Sequence, residues 1–220
     1  MNGELVHLLR EPAAEPHGAL ILNHGRGTDE RDLLGLLDEL DPGRRLLGVT
    51  TGAPLTDVPP GGRHWDLVPR VGYPDPATFR TSYALLSSFL DRLLAARGIG
   101  WERAVLGGFS MGAVMSYAVG LGRWGPSPAA ILALSGFVPT VEGWAPELEG
   151  RAGLPVLIHH GLNDPVIDVA LGRRARDLLA DAGLEVDYIE TDAAHWVPPQ
   201  VLPRAIELVD AVTAEATDPA

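Results

Sequence analysis

The chain has 220 residues, a length typical of one domain, and 46% of them are apolar, which is enough for one sizeable core. Its 17 basic and 29 acidic side chains give a net charge of −12. That balance argues against nucleic acid, where binding depends on neutralising phosphates, and against stable association with an anionic membrane. With no cysteine, the chain has no disulfide, thiolate nucleophile or cysteine-bound metal.

The N-terminal 16 residues are only loosely patterned and carry three glutamates without a continuous apolar core. We therefore expect no signal peptide there. The longest purely apolar run, 129–134, is far shorter than the ~20 residues of a membrane helix. We expect a cytoplasmic protein with a single domain over residues 1–220.

The first half of the chain predicts a strand at 20–22, a helix with leucines at helical spacing over 33–40, and a strand at 46–50. Residues 51–76 are rich in proline and glycine and have no period of their own. A loop this long in a compact domain is usually functional. A helix follows, with Pro76 in its first turn and Gly98 after its end.

The second half alternates regularly between strands and helices. Strands are predicted at 103–109, 129–134, 155–159 and 185–190, and helices at 110–120, 169–182 and 201–212. Such alternation predicts an α/β fold with a mostly parallel sheet and helices on both faces. Ligands of such sheets bind at the carboxyl ends of the strands.

One motif indicates nucleophilic chemistry, the GxSxG pattern of Gly108-Phe109-Ser110-Met111-Gly112. It follows a predicted strand and precedes a predicted helix, as a sharp turn that exposes a serine requires. The alternative is a small-residue turn in which Ser110 only caps the helix.

A serine needs a base to remove its proton, and the base needs an acid to orient it. His195 follows the last predicted strand and is the candidate base. Asp164, in the turn after the strand at 155–159, is the candidate acid. Asp168 is its rival, although its position favours a helix N-cap.

Backbone N–H groups are the expected oxyanion donors. The helix start at Met111 supplies one, and the turn Asn23-His24-Gly25-Arg26-Gly27 places Arg26 as the other. His159 and His160 are neighbours on a strand, so they face opposite sides and cannot chelate one metal together. No metal spacing or phosphate-binding glycine loop is present, and we expect no cofactor.

Two loops are candidates to shape the pocket, 51–76 and 135–153. Aromatic residues near a serine nucleophile favour apolar acyl or aryl groups. The candidate substrate-binding residues are Trp65, Tyr73, Phe137, Trp144 and Trp196. Little chain is left for a lid, which suits short- or medium-chain esters.

The turn at 22–27, the GxSxG motif, the turn His160-Gly161-Leu162-Asn163-Asp164-Pro165 and His195 together resemble the phospholipase/carboxylesterase family of small α/β-hydrolases. The resemblance covers residues 18–212 and implies an α/β-hydrolase fold with a minimal lid. It implies Ser110 as nucleophile, Asp164 as acid, His195 as base, and Arg26 and Met111 as oxyanion donors. Arg26 stands where eukaryotic thioesterases carry leucine and Met111 where they often carry glutamine, which favours the bacterial type II carboxylesterases.

These features predict a serine carboxylesterase with a small-molecule ester as its partner. Lysophospholipase, acyl-thioesterase, acyltransferase and peptidase activities stay open, because all share an acyl-enzyme. A homodimer also stays open. A non-catalytic binding protein is disfavoured by the complete set of serine, aspartate and histidine.

Overall fold

The computed structural model describes residues 5–122 and 127–213, whose strands form one sheet. The strands are β1 (His7–Arg10), β2 (Gly18–Asn23), β3 (Leu46–Thr51), β4 (Ala104–Phe109), β5 (Ala130–Leu134), β6 (Pro155–Gly161) and β7 (Glu185–Thr191). Their spatial order is β1-β3-β2-β4-β5-β6-β7. Only the β1–β3 pair is antiparallel, so the predicted mostly parallel sheet is confirmed.

Within the described ranges, five α-helices connect and cover these strands. They are α1 (Leu34–Leu40), α2 (Pro76–Ala96), α3 (Met111–Leu121), α4 (Val169–Asp181) and α5 (Leu202–Thr213). The start of α2 is set by Asp75, whose carboxylate accepts the Thr78 N–H at 2.9 Å, with Pro76 in the first turn. All five predicted helices are present, close to their expected bounds.

The central strands β2, β4 and β5 are buried on both faces, so their sequences are almost continuously apolar. Ile21 packs with α2 and α3 on one face, whereas its neighbours Leu20 and Leu22 pack with α1 and α5 on the other. The core therefore has two layers, one on each side of the sheet. This arrangement confirms the α/β fold with helices on both faces.

The sequence did not predict β1. This short strand extends the sheet at one edge through its pairing with β3, His7 opposite Thr51 and Arg10 opposite Gly48. Arg10 is anchored by its guanidinium, which donates to the Asp41 carboxylate at 2.6 Å and to the Leu37 carbonyl at 2.6 Å. The pairing of β1 with β3 and the hydrogen bonds of the buried Arg10 side chain thus order a segment that has no apolar pattern.

Candidate active site

The GxSxG motif forms a strained turn between β4 and α3. Ser110 has φ 55° and ψ −119°, a conformation that non-glycine residues rarely adopt. A Cβ at Gly108 would lie 2.5 Å from the carbonyl carbon of Gly112, and one at Gly112 would overlap the Asn23 carbonyl. Glycine is therefore required at both positions for this turn to pack against the end of β2.

Ser110, His195 and Asp164 form one chain of hydrogen bonds. The Ser110 Oγ lies 2.9 Å from Nε2 of His195, and Nδ1 of His195 lies 2.6 Å from Oδ2 of Asp164. The three residues follow β4, β7 and β6, whose carboxyl ends meet at one edge of the sheet. The structure thus brings together all three residues that the sequence proposed as nucleophile, base and acid.

The side chain of Asp164 is fully buried but well supplied with hydrogen bonds. Its Oδ1 accepts the backbone N–H groups of Val166 at 2.8 Å and Ile167 at 2.9 Å. Burial by itself would raise the pKa of Asp164, but the hydrogen bonds from His195 and these two N–H groups lower it below its ordinary value. An ionised Asp164 accepts a hydrogen bond from Nδ1–H of His195, which leaves Nε2 without a proton and able to accept the one from the serine.

The rival acid, Asp168, has a different task. Its Oδ1 accepts the N–H of Ala170 at 2.8 Å, and the residue caps α4. The prediction that Asp168 is an N-cap is therefore confirmed. No hydrogen bond or ion pair of the described residues connects Asp168 to His195.

The two neighbouring histidines of β6 are fully buried on either side of the strand. Nε2 of His160 donates to the Ile167 carbonyl at 2.8 Å, so His160 supports the loop that carries Asp164. His159 lies 3.0 Å from the Thr191 hydroxyl. Burial, followed by the neighbouring His160, lowers the pKa of His159 to about 4, so its ring is neutral at pH 7.

The turn after β2 is held by His24. Nδ1 of His24 donates to the Gly25 carbonyl at 2.6 Å, and Nε2 accepts the Ala53 N–H at 3.0 Å. Burial lowers the pKa of His24, which keeps the ring neutral and able to accept. Across residues 5–122 and 127–213, the hydrogen bonds use neither the Arg26 N–H nor the Met111 N–H.

A cavity of about 410 Å³ opens beside Ser110 and His195. Arg26 and Met111 line it, and most of its other walls are apolar. The apolar lining residues are Val68, Val71, Pro74, Phe109, Val114, Phe137, Val166 and Ile167. Such a lining suits the hydrocarbon part of a small substrate.

Of the five aromatic residues expected to bind substrate, Phe137 lines this cavity and the other four do not. Trp65 is fully buried behind it, where its Nε1–H donates to the His24 carbonyl at 3.0 Å. Tyr73 and Trp144 line a separate cavity beside α4, and Trp196 is 52% exposed. The side chains of long loops have no period that would show which way they point.

A buried carboxyl group that was not among the predicted site residues also lines the cavity. Asp66 is 2% exposed, and its Oδ1 has no hydrogen-bond partner in the part of the chain that the structure describes. Burial and the negative charge of Asp75 raise its pKa to about 7, against a smaller opposing effect of Arg26. The only sequence signal was an acidic residue next to an aromatic one in the long loop.

Within the two described ranges, no group of three or more histidine and acidic side chains is arranged to hold a metal ion. Over the same ranges, no helix combines the length and apolar character needed to cross a membrane.

The sheet, the strand–turn–helix around Ser110 and the hydrogen-bonded serine, histidine and aspartate at its carboxyl edge define an α/β-hydrolase fold. Comparison with known protein families agrees with this fold. The family model described as Phospholipase/Carboxylesterase matches residues 7–213. The chain belongs to this family and is an ester hydrolase.

Individual relatives fit this assignment. Acyl-protein thioesterase 1 of Debaryomyces hansenii is 26% identical over 74% of this chain and 75% of its own length. The protein of the same name from Neurospora crassa is 33% identical over 52% of this chain and 47% of its own. Among solved structures, esterase PE8 is 26% identical, with a TM-score of 0.82 over 95% of this chain and 99% of its own. The Bacillus cereus carboxylesterase shares the fold, with 22% identity, a TM-score of 0.81 and 96% of each chain covered.

Proposed function

We propose that this ester hydrolase is a serine carboxylesterase that cleaves short- to medium-chain carboxylic esters through an acyl-enzyme. The observation that carries the proposal is the hydrogen-bonded chain from Ser110 through His195 to Asp164, which opens on an apolar cavity. A serine hydroxyl at this distance from an imidazole can lose its proton as it attacks a carbonyl carbon.

In the proposed mechanism, Nε2 of His195 takes the Ser110 proton while Oγ bonds to the ester carbon. The N–H groups of Arg26 and Met111 donate to the resulting oxyanion. His195 then gives its proton to the leaving alcohol, and the carbon–oxygen bond to that alcohol breaks. Water, deprotonated by His195, attacks the carbonyl carbon of the acyl-Ser110 ester. The bond from that carbon to Oγ then breaks as His195 returns the proton to Oγ, which releases the acid and restores the serine.

The cavity volume supports the proposed chain length. About 410 Å³ lies towards the small end of the ~300–1,000 Å³ typical of ligand pockets. Short and medium acyl chains fit such a space, whereas a long chain would extend into solvent. We therefore expect kcat/KM to peak at short or medium chain length.

The test is turnover of p-nitrophenyl esters from acetate to dodecanoate, without added metal and with EDTA present. We expect activity that a serine-directed phosphonate abolishes, with the phosphonate attached to Ser110 by peptide mass spectrometry. The Ser110→Ala protein is the control for background hydrolysis. Activity that EDTA removes and zinc restores, or a preference for long-chain emulsions, would contradict the proposal.

A thioesterase is the second candidate, because the curated relatives are named acyl-protein thioesterases. The same serine, histidine and aspartate could attack a thioester, since only the leaving group differs. The discriminating measurement compares an oxygen ester and a thioester of the same acyl chain. A kcat/KM ratio strongly in favour of the thioester, after correction for its faster spontaneous hydrolysis, would move the assignment to a thioesterase.

A further inference from the structure

The wall of the cavity formed by the long loop contains a carboxyl group with no structural partner. Asp66 is 2% exposed and lines the cavity together with Ser110 and His195. Its Oδ1 is buried without a hydrogen bond, and among the described residues no arginine or histidine forms an ion pair with it. Burying an unpartnered carboxyl group destabilises a fold, so its presence in a substrate cavity points to a ligand.

The backbone on both sides of Asp66 is fixed. The Trp65 N–H donates to the Met111 sulfur at 3.2 Å, and the Leu67 N–H donates to the Thr78 hydroxyl at 3.1 Å. The Ser82 hydroxyl donates to the Trp65 carbonyl. Because Met111 directly follows Ser110, these bonds hold the Asp66 carboxyl at a set position relative to the nucleophile.

The charges around Asp66 indicate which chemical group of a ligand its carboxyl would bind. Arg26 lines the same cavity and would repel a cation, while Asp32, also in the lining, already accepts from the Thr28 hydroxyl. Burial and Asp75 bring the pKa of Asp66 to about 7, so both protonation states are populated at neutral pH. A hydroxyl group is suited to both, since it can donate to a carboxylate and accept from a carboxylic acid.

We propose that Asp66 is a specificity-determining residue that hydrogen-bonds a hydroxyl group on the ester substrate. Hydroxylated esters are then preferred over plain esters of the same length. This inference rests on the proposed esterase function, because it names the substrate class of the same site.

The test compares p-nitrophenyl hexanoate with its 3-hydroxy and 6-hydroxy derivatives, and hexyl acetate with the monoacetate of hexane-1,6-diol. The quantity measured is the ratio of kcat/KM for each hydroxylated ester to that of its parent. We expect Asp66→Leu to lower the ratio by about tenfold for at least one pair, the effect of one lost hydrogen bond. Asp66→Asn should keep most of the ratio, because an amide also donates and accepts.

Asp57→Leu is the matched control, since it removes the same charge from an exposed position of the same loop. It should leave every ratio unchanged. Ratios that Asp66→Leu leaves unchanged for all pairs would overturn the proposal. A stronger preference for the 6-amino than for the 6-hydroxy hexanoate would also overturn it, because Asp66 would then select a cation.

A binding measurement separates this inference from the proposed function. In the Ser110→Ala background, the Kd of hydroxylated and plain esters is measured by calorimetry with and without Asp66→Leu. An Asp66-dependent preference in Kd, without turnover of any ester by the unmodified protein, would defeat the esterase proposal and keep the role of Asp66. Turnover without such a preference would defeat the role of Asp66 alone.

Discussion

Two aspartates near the cavity both have buried side chains, yet their surroundings differ. Asp164 accepts hydrogen bonds from His195 and from two backbone N–H groups, and its pKa lies below its ordinary value. Asp66 has a buried oxygen with no partner, and its pKa is raised to about 7. Burial favours the neutral acid at both positions, so it is the hydrogen bonds that keep Asp164 ionised. In our proposals, Asp164 therefore serves the reaction and Asp66 binds the substrate.

The largest expected effect comes from removing the hydroxyl of Ser110, which is hydrogen-bonded to His195 and through it to Asp164. Ser110→Ala should lower kcat by about 10⁴-fold or more, because nucleophile and base act as a unit, and His195→Ala should cost about as much. Circular dichroism should show an intact fold. Ser88→Ala, on the exposed surface of α2, is the control and should retain activity within about twofold. Residual activity above a tenth of normal in Ser110→Ala would assign the nucleophile elsewhere.

Asp164→Asn tests the acid itself. The amide cannot stabilise the imidazolium of His195 and favours the wrong tautomer, so kcat should fall. The loss should be about 10- to 100-fold smaller than for Ser110→Ala, since the acid does not react. The assay is p-nitrophenyl butyrate turnover at saturating substrate. A larger loss in Asp168→Asn than in Asp164→Asn would reverse the assignment of the acid.

Asp66→Leu should stabilise the fold in a pH-dependent way. The native pKa of about 7 exceeds the unfolded value of ~3.9, so the wild type loses stability as pH rises from about 4 to 7. Relative to wild type, the variant should gain on the order of 3 kcal/mol between pH 4 and pH 8. Urea unfolding at several pH values measures this change.

The same unfolding series on Asp164→Asn should show the opposite sign. The native pKa of Asp164 is lowered, so its carboxylate stabilises the fold above the unfolded pKa, and this contribution is lost as pH falls through the native pKa. The variant should therefore be less stable than wild type near pH 7 and approach it in acid. Parallel pH profiles for the two variants would remove the contrast between the two aspartates.

The smallest expected effect is at Asp168. Asp168→Ala removes the side-chain hydrogen bond that caps α4, and the free energy of unfolding should fall by about 1 kcal/mol. Turnover should change by less than about twofold, because the residue is not bonded to His195. Thermal unfolding and a p-nitrophenyl butyrate assay on one preparation check both values.

The sequence predicted most of the sheet because the central strands are apolar runs and β7 alternates apolar and polar residues, while the apolar residues of the helices between them recur at helical spacing. It predicted the positions of Ser110, Asp164 and His195 because each stands in a turn directly after a strand, and parallel strands bring those turns together. It did not predict β1, whose order comes from pairing with β3 and from the Arg10–Asp41 ion pair. Both partners are distant in sequence, so no local pattern signals them.

The pocket was harder to predict because its walls come from loops. Trp65 and Asp66 are neighbours in the sequence, but Trp65 is buried away from the cavity whereas Asp66 lines it. A loop has no period from which such directions can be read. The raised pKa of Asp66 comes from its burial and from the nearby charge of Asp75, and neither is visible in the residues next to it in the sequence.

The separation of the bonded residues along the chain has a consequence for folding. Ser110 is 85 positions from His195, and Asp164 is 31 positions from it. Contacts between distant positions form late, because the entropy of closing a long loop is lost before the contact can stabilise the fold. During refolding, helical circular dichroism should therefore recover before the ability to react with a phosphonate. Covalent labelling of Ser110 would then report when the turn after β7 docks beside β4 and β6.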